Sequence, residues 1–169
     1  MFRKLLHYDQ LGTEKFFSLQ KSWQNKSSTV AKAITYQRWK RLMRRHCACI
    51  PLTTEFKGNA TFPHGITGIF ISIGAKIGKD CVIFHQCTIG SNTLRDSKGF
   101  GAPVIGDNVY IGAGAKIIGN VHIGNHVRIG ANCVVTEDVP DNATVVLPRP
   151  RVISRESKNN NEYIAWNRL

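Results

Sequence analysis

The sequence predicts an all-β solenoid, a coil of very short parallel strands preceded by an α-helical segment, and three observations carry that prediction. The first is an aliphatic residue at every sixth position: Ile71, Ile77, Ile83 and Ile89, then Ile105, Ile111, Ile117, Ile123, Ile129 and Val135. A helix repeats its buried face about every 3.6 residues and a flat strand about every two, so neither alone yields a period of six. The second is the position four residues later in each hexad, which reads Ala75, Cys81, Cys87, Thr93, Val109, Ala115, Val121, Val127, Cys133 and Val139. All are small or β-branched, as a narrow interior requires. The third is the Gly, Asn and Asp between these positions, residues suited to corners. A strand, a corner and another strand, three hexads to a turn, describe a triangular prism whose aliphatic column forms only when coils stack.

The frame slips once. Sixteen residues separate Ile89 from Ile105, six plus ten, so a ten-residue loop at 93–102 (TLRDSKGFGA) is expected to leave the coil. The chain therefore divides into a basic helical segment at 1–50, the repeat domain at 51–153, and a polar tail at 154–169.

Charge is uneven along these parts. Of a net +12, residues 1–60 hold twelve Lys and Arg against Asp9, Glu14 and Glu55, hence +9. Helices are expected at 11–23 and 30–45. In QRWKRLMRRH, Trp39, Leu42 and Met43 share helical spacing while Arg38, Lys40, Arg41, Arg44 and Arg45 surround them. That pattern reads as a helix capping the prism, with its basic face either solvated or drawn to an anionic membrane surface or polyanionic glycan. No aromatic and glycine interleaving of an RNA-binding sheet is present, and nucleic acid is not expected as a partner. The opening MFRKLLHYDQ is too broken by polar residues for a signal peptide or span. Cys81, Cys87 and Cys133 fall on inward positions as small apolar fillers, and Cys47 and Cys49 lack a second pair at zinc-ligand spacing. Five reduced thiols and a cytoplasmic location, including the inner face of the membrane, are expected.

His64 is the residue best placed for chemistry. It stands between Pro63 and Gly65 where the hexad pattern breaks, so its side chain is expected outside the core. A neutral imidazole is suited to taking a hydroxyl proton near neutral pH, which an alcohol must lose as it attacks. His85, 21 residues on, is also outward and near enough to line the same groove.

The stretch FPHGITGIFISIGAKIGKDCVIFHQCTIGSNT at 62–93, with GAPVIGDNVYIGAGAKIIGN, EDVPDNATVV and PRV further on, resembles the hexapeptide-repeat acyltransferases. The likeness spans about residues 49–153 and is to the serine acetyltransferase branch and its relatives that acetylate sugars of cell-surface polysaccharides. It implies a left-handed parallel β-helix, assembly into a homotrimer with active sites between subunits, and acetyl-CoA as donor without a metal. His64 then corresponds to the general base. His85 and, from the loop, Arg95, Asp96 and Lys98 are the implied acceptor contacts. Gly112, Ala113, Gly114, Gly130 and Ala131 are the small residues along which acetyl-CoA would lie, and Lys116, Arg128 and Arg151 the cations for its phosphates. His122 and His126 are outward and four apart, but they do not reproduce the three-histidine set of the γ-carbonic anhydrase type.

Two departures bear on the acceptor. The family's serine acetyltransferases carry an aspartate about fifteen residues before the base, where this chain has Cys49, leaving Glu55, another carboxylate, a backbone carbonyl or no charged partner to orient His64. Near the end of the loop they carry a histidine, where this chain has Gly101 and Ala102. Both differences, with the short N-terminal segment, point to O-acetylation of a sugar in a cell-surface polysaccharide or its precursor, anionic or lipid-linked. L-serine acetylation and a non-catalytic glycan-binding scaffold are the alternatives.

Overall fold

The computed structural model describes residues 3–164, and their side chains from residue 12 onward. Two helices lead, α1 (Arg3–Gln24) and α2 (Thr29–Arg45), followed by twelve strands of two or three residues. These are β1 (Glu55–Phe56), β2 (Phe70–Ile71), β3 (Lys76–Ile77), β4 (Val82–Ile83), β5 (Thr88–Gly90), β6 (Val104–Ile105), β7 (Tyr110–Ile111), β8 (Lys116–Ile118), β9 (His122–Ile123), β10 (Arg128–Ile129), β11 (Val134–Val135) and β12 (Thr144–Val145).

The strands form three parallel sheets, ordered β2-β5-β8-β11, β1-β3-β6-β9 and β4-β7-β10-β12. From β2 to β11 successive strands take the three sheets in turn, so the chain winds around a prism. Register is set by the aliphatic column: Ile71 pairs with Ile89, Ile89 with Ile117, and Ile117 with Val135 down one wall. Ile77, Ile83, Ile105, Ile111, Ile123 and Ile129 are all essentially inaccessible. Each such side chain contributes about 1.5–3 kcal/mol of burial, and only against the coils above and below.

Single bridges extend the prism by one coil. Cys49 pairs with Phe70 and Thr61 with Val82, both parallel. Ile50, Phe56 and Phe62 therefore occupy the same inward place as the isoleucines, six residues apart, and the coil begins at Cys49 rather than at 51. At the far end Ile123 pairs with Val139, so Val139 takes the first place of its strand, and the last turn is two residues shorter than the expected hexad. Thr93 departs from expectation too. It is exposed, because the chain has already left the coil, and buried Pro103 fills the inward place before Ile105.

Corners demand left-handed backbone. Gln86, Asn132, Gly68 and Gly114 hold φ between about +59° and +73° at one edge. Asp80, Asn108, His126 and Asn142 hold φ between 54° and 63° at the next. The second edge also carries a vertical ladder, in which Asp107 Oδ1 accepts from Lys79 N (2.9 Å), Asn125 Oδ1 from Asp107 N (2.8 Å) and Asp141 Oδ1 from Asn125 N (2.7 Å).

The helices close the first coil. Both begin earlier than expected, at Arg3 and Thr29. Phe16, Leu19, Gln20 and Trp23 lie at helical spacing on the inward face of α1, and the Phe17 ring packs against Phe56 and Phe62. Gln20 Nε2 donates to Leu52 O (3.3 Å) and Thr54 O (2.9 Å), carbonyls of the first coil that stacking leaves without a coil above. From α2, Trp39 Nε1 donates to Ile50 O (2.8 Å), with Leu42 and Met43 buried beside it. Arg38, Arg41, Arg44 and Arg45 are exposed. No described helix is long and apolar enough to cross a membrane. Cys81, Cys87 and Cys133 are buried and all five cysteines are free.

Candidate active site

His64 owes its position to three extra residues. From Thr61 to Phe70 the chain takes nine residues instead of six, and the surplus forms a bulged corner in which Ile66 and Ile69 turn fully inward while His64 is exposed. Gly65 and Gly68 supply the positive φ that this bulge needs.

The next coil brings His85 to the same edge. One 18-residue turn plus the three-residue bulge equals the 21 residues between the two histidines, so they stack. His64 Nδ1 and His85 Nδ1 are 2.8 Å apart, with ring centroids at 4.8 Å. Phe84 meets the His64 ring edge-on at 5.2 Å, and Tyr110 follows Phe84 at 5.2 Å. These two aromatics were not singled out from sequence, although their outward hexad positions were readable.

The edge continues as a hydrogen-bonded ladder: Gln86 N to Thr67 O (3.0 Å), Gly114 N to His85 O (3.1 Å) and Asn132 N to Ala113 O (2.9 Å). Ala113, Gly114 and Ala131 thus lie below His85 in line, and at about 4.8 Å per coil Ala131 is roughly 10 Å from His85. This edge brings together the base candidate and the small residues expected for acetyl-CoA.

The glycines themselves have a reason inside the chain. A Cβ on Gly112 would lie 2.7 Å from Ala131 N, and one on Gly130 would lie 3.1 Å from Val145 O. Gly78, Gly106 and Gly124, at corners away from His64, are equally tight against the following coil. Coil stacking alone accounts for glycine after the inward isoleucine, so Gly112 and Gly130 are no specific mark of a ligand.

The cations divide. Lys116 Nζ donates to Gln86 O (2.9 Å) and Gly114 O (2.7 Å), clamping the corner beside His85. Arg128 is exposed and in register with Tyr110. Arg151 is exposed in the segment after β12. Arg95, Asp96 and Lys98 are exposed on the expected loop, which Asn92 and Gly101 close by paired backbone bonds of 2.9 Å. That loop leaves between β5 and β6, at a different edge from His64, so within one chain these three residues are not gathered with the histidines. Glu55 is also elsewhere, 3.5 Å from Lys76 on the β1-β3 sheet, and does not orient His64. Cys49 pairs through its backbone with Phe70.

Residues 102–137 match the bacterial transferase hexapeptide family (six repeats). The repeat region is thus similar to the hexapeptide-repeat transferases, and the relatives it matches are serine acetyltransferases. A serine acetyltransferase of Mycobacterium tuberculosis is 38% identical over 109 residues, 64% of this chain and 47% of the relative. That of Synechococcus elongatus is 44% identical over 92 residues, 54% of this chain and 36% of the relative. Among solved structures, soybean serine acetyltransferase complexed with serine superposes with a TM-score of 0.68 at 31% identity, covering 85% of this chain and 57% of the other. A serine acetyltransferase in complex with CoA gives 0.63 at 28%, covering 79% and 51%. The prism is accordingly the left-handed parallel β-helix. This chain spans about half the length of these relatives or less. These relatives are serine acetyltransferases, which favours the serine alternative over the glycan acceptor expected from sequence.

Proposed function

We propose that the chain is an acetyl-CoA-dependent O-acetyltransferase, a reading carried by one observation: an exposed imidazole, His64, held at Nδ1 by His85, at the head of an edge that continues through Ala113 and Ala131. With Nδ1 engaged, Nε2 of His64 is the nitrogen left to meet a hydroxyl. As the hydroxyl oxygen attacks the thioester carbon, its proton passes to Nε2, the new C–O bond forms and the C–S bond breaks. The departing thiolate takes that proton back from Nε2, restoring the neutral imidazole, and the free thiol of CoA leaves. Backbone N–H groups at the edge would stabilise the oxyanion, and the thioester arm would run toward Ala113, Gly114 and Ala131, with Arg128 and Arg151 as cations for the phosphates.

L-serine is the first acceptor to test, since the relatives named above are serine acetyltransferases. A sugar hydroxyl is the second reading, favoured by Phe84 and Tyr110, whose rings line the approach to His64 as a stacking surface. Arg95, Asp96 and Lys98 act on the acceptor only if a second chain brings its loop to this edge, so a homotrimer with shared sites belongs to the same proposal.

Thiol release from acetyl-CoA with L-serine and with a panel of sugars and glycans tests it. The expected result is turnover on one class, reduced about 10²–10⁴-fold in His64→Ala with the fold and CoA binding retained. Equal turnover in His64→Ala, or none in the native chain alongside glycan binding, would replace the enzyme reading with that of a binding scaffold.

A further inference from the structure

We propose that His85 is a positioning residue for His64, its Nδ1 accepting a hydrogen bond from His64 Nδ1–H in the role a carboxylate would otherwise fill, rather than a residue that contacts the acceptor. The inference rests on the O-acetyltransferase reading and adds a role that the fold alone does not give.

Two ring nitrogens 2.8 Å apart can form a hydrogen bond only if one of them carries the proton. If His85 donates, the neutral His64 must carry its own proton on Nε2, and no base faces the acceptor. If His64 donates from Nδ1, its Nε2 is bare and basic, while His85 keeps its proton on Nε2 and offers Nδ1 as a lone pair. Only the second arrangement lets His64 take the hydroxyl proton. It also rewards the transition state: once Nε2 is protonated, His64 is an imidazolium whose Nδ1–H bond to His85 becomes charge-assisted, so the contact strengthens as the reaction proceeds.

The surroundings support this assignment. Among the described residues, no carboxylate forms an ion pair or hydrogen bond with His64, and Glu55 is held by Lys76 on another wall. Phe84, edge-on to His64, offers no lone pair. His85 is half-buried and its backbone is fixed by Gly114 N, with Lys116 clamping the adjoining Gln86 carbonyl, so its ring is tethered to the scaffold on which it must act.

Replacement at residue 85 separates accepting from donating. His85→Asp and His85→Asn put an acceptor oxygen near the Nδ1 position, whereas His85→Phe keeps a ring and removes the lone pair. With the full chain and the acceptor it turns over, His85→Phe is expected to lower kcat about 10–100-fold with acceptor KM within about threefold. His85→Asp or His85→Asn should regain at least about tenfold of that loss. A rise in KM alone, unchanged kcat in His85→Phe, or an aspartate variant as slow as the phenylalanine one would overturn the proposal.

Nitrogen-15 spectra of the histidine rings give a readout independent of turnover. His64 is expected as the Nδ1–H tautomer with a bare Nε2 in the native chain, and this preference should vanish in His85→Phe. An Nε2–H tautomer for His64 in the native chain would defeat the proposal even if acetyl transfer is observed. The expected tautomer in a chain with no acetyl transfer would instead preserve the geometry and remove only the activity reading.

Discussion

Gly112 and Cys87 show how closely one residue can be bound to the coil that follows it. The Cys87 thiol donates to Gly112 O at 3.1 Å, and burial pushes the thiols of Cys81 and Cys87 above the ordinary value by disfavouring the thiolate. Treatment with an aromatic disulfide at neutral pH should therefore leave Cys81, Cys87 and Cys133 unmodified until denaturant is added, while exposed Cys47 reacts in the folded chain. Rapid labelling of the three buried thiols under native conditions would contradict the packing. Gly112→Ala tests the backbone side of the same contact: with a Cβ 2.7 Å from Ala131 N, it should cost about 1–3 kcal/mol in urea unfolding, and no loss would mean the coils are spaced more loosely. From sequence these glycines had read as room for a ligand. Composition records only that a side chain is missing, and which neighbour forbids it depends on the next coil, 18 residues away.

At the scale of the element, the corners carry specificity that the strands, two or three residues long, cannot carry alone. Asp141 receives the backbone N–H of Asn125 and then its side-chain amide, and these bonds hold its carboxyl below the ordinary range. Because the folded value lies below the unfolded one, the associated stability is present above the unfolded carboxylate value and is lost as pH falls through the folded one. Asp141→Asn keeps an acceptor but cannot titrate, so the melting-temperature gap between native chain and variant should narrow on acidification. A gap that stays constant with pH would show that Asp141 contributes nothing through its charge. The helix at the cap makes a comparable prediction: Gln20→Ala leaves Leu52 O and Thr54 O without their donor and should cost about 1–3 kcal/mol, whereas exposed Gln24 should tolerate the same change. The helices were legible from apolar spacing, but their early starts were not. Even Ser28, which caps α2 by accepting from Ala31 N, lies inside a polar run with several equivalent candidates.

For the whole molecule, the solenoid was legible because a period of six repeated over ten hexads leaves few alternatives, and the places it misled are where the phase slips. The first coil was missed because Phe56 and Phe62 stand where isoleucine was the signal and because the His64 bulge shifts the frame by three. The same bulge makes the spacing of His64 and His85 one coil plus three, which sequence could place in one groove but not in contact. The first coil also explains why its aromatics differ: it has no coil above it, and Phe16, Phe17 and Trp39 of the helices complete its packing. A repeat whose end is open exposes an aliphatic column and unpaired strand edges, so the helical cap should be a condition for folding and not an appendage. A chain beginning at His46 should lose cooperative unfolding or aggregate, with Ile50, Phe62 and Ile66 brought to the surface. Removing residues 154–169, whose described part is exposed throughout, should leave the melting temperature within about 4 °C, the shift that about 1 kcal/mol produces in a domain of this size. If the chain without its helices melted as sharply and as high as the full chain, the aliphatic column would be stable by itself, and the basic helices would have to be explained by what they bind.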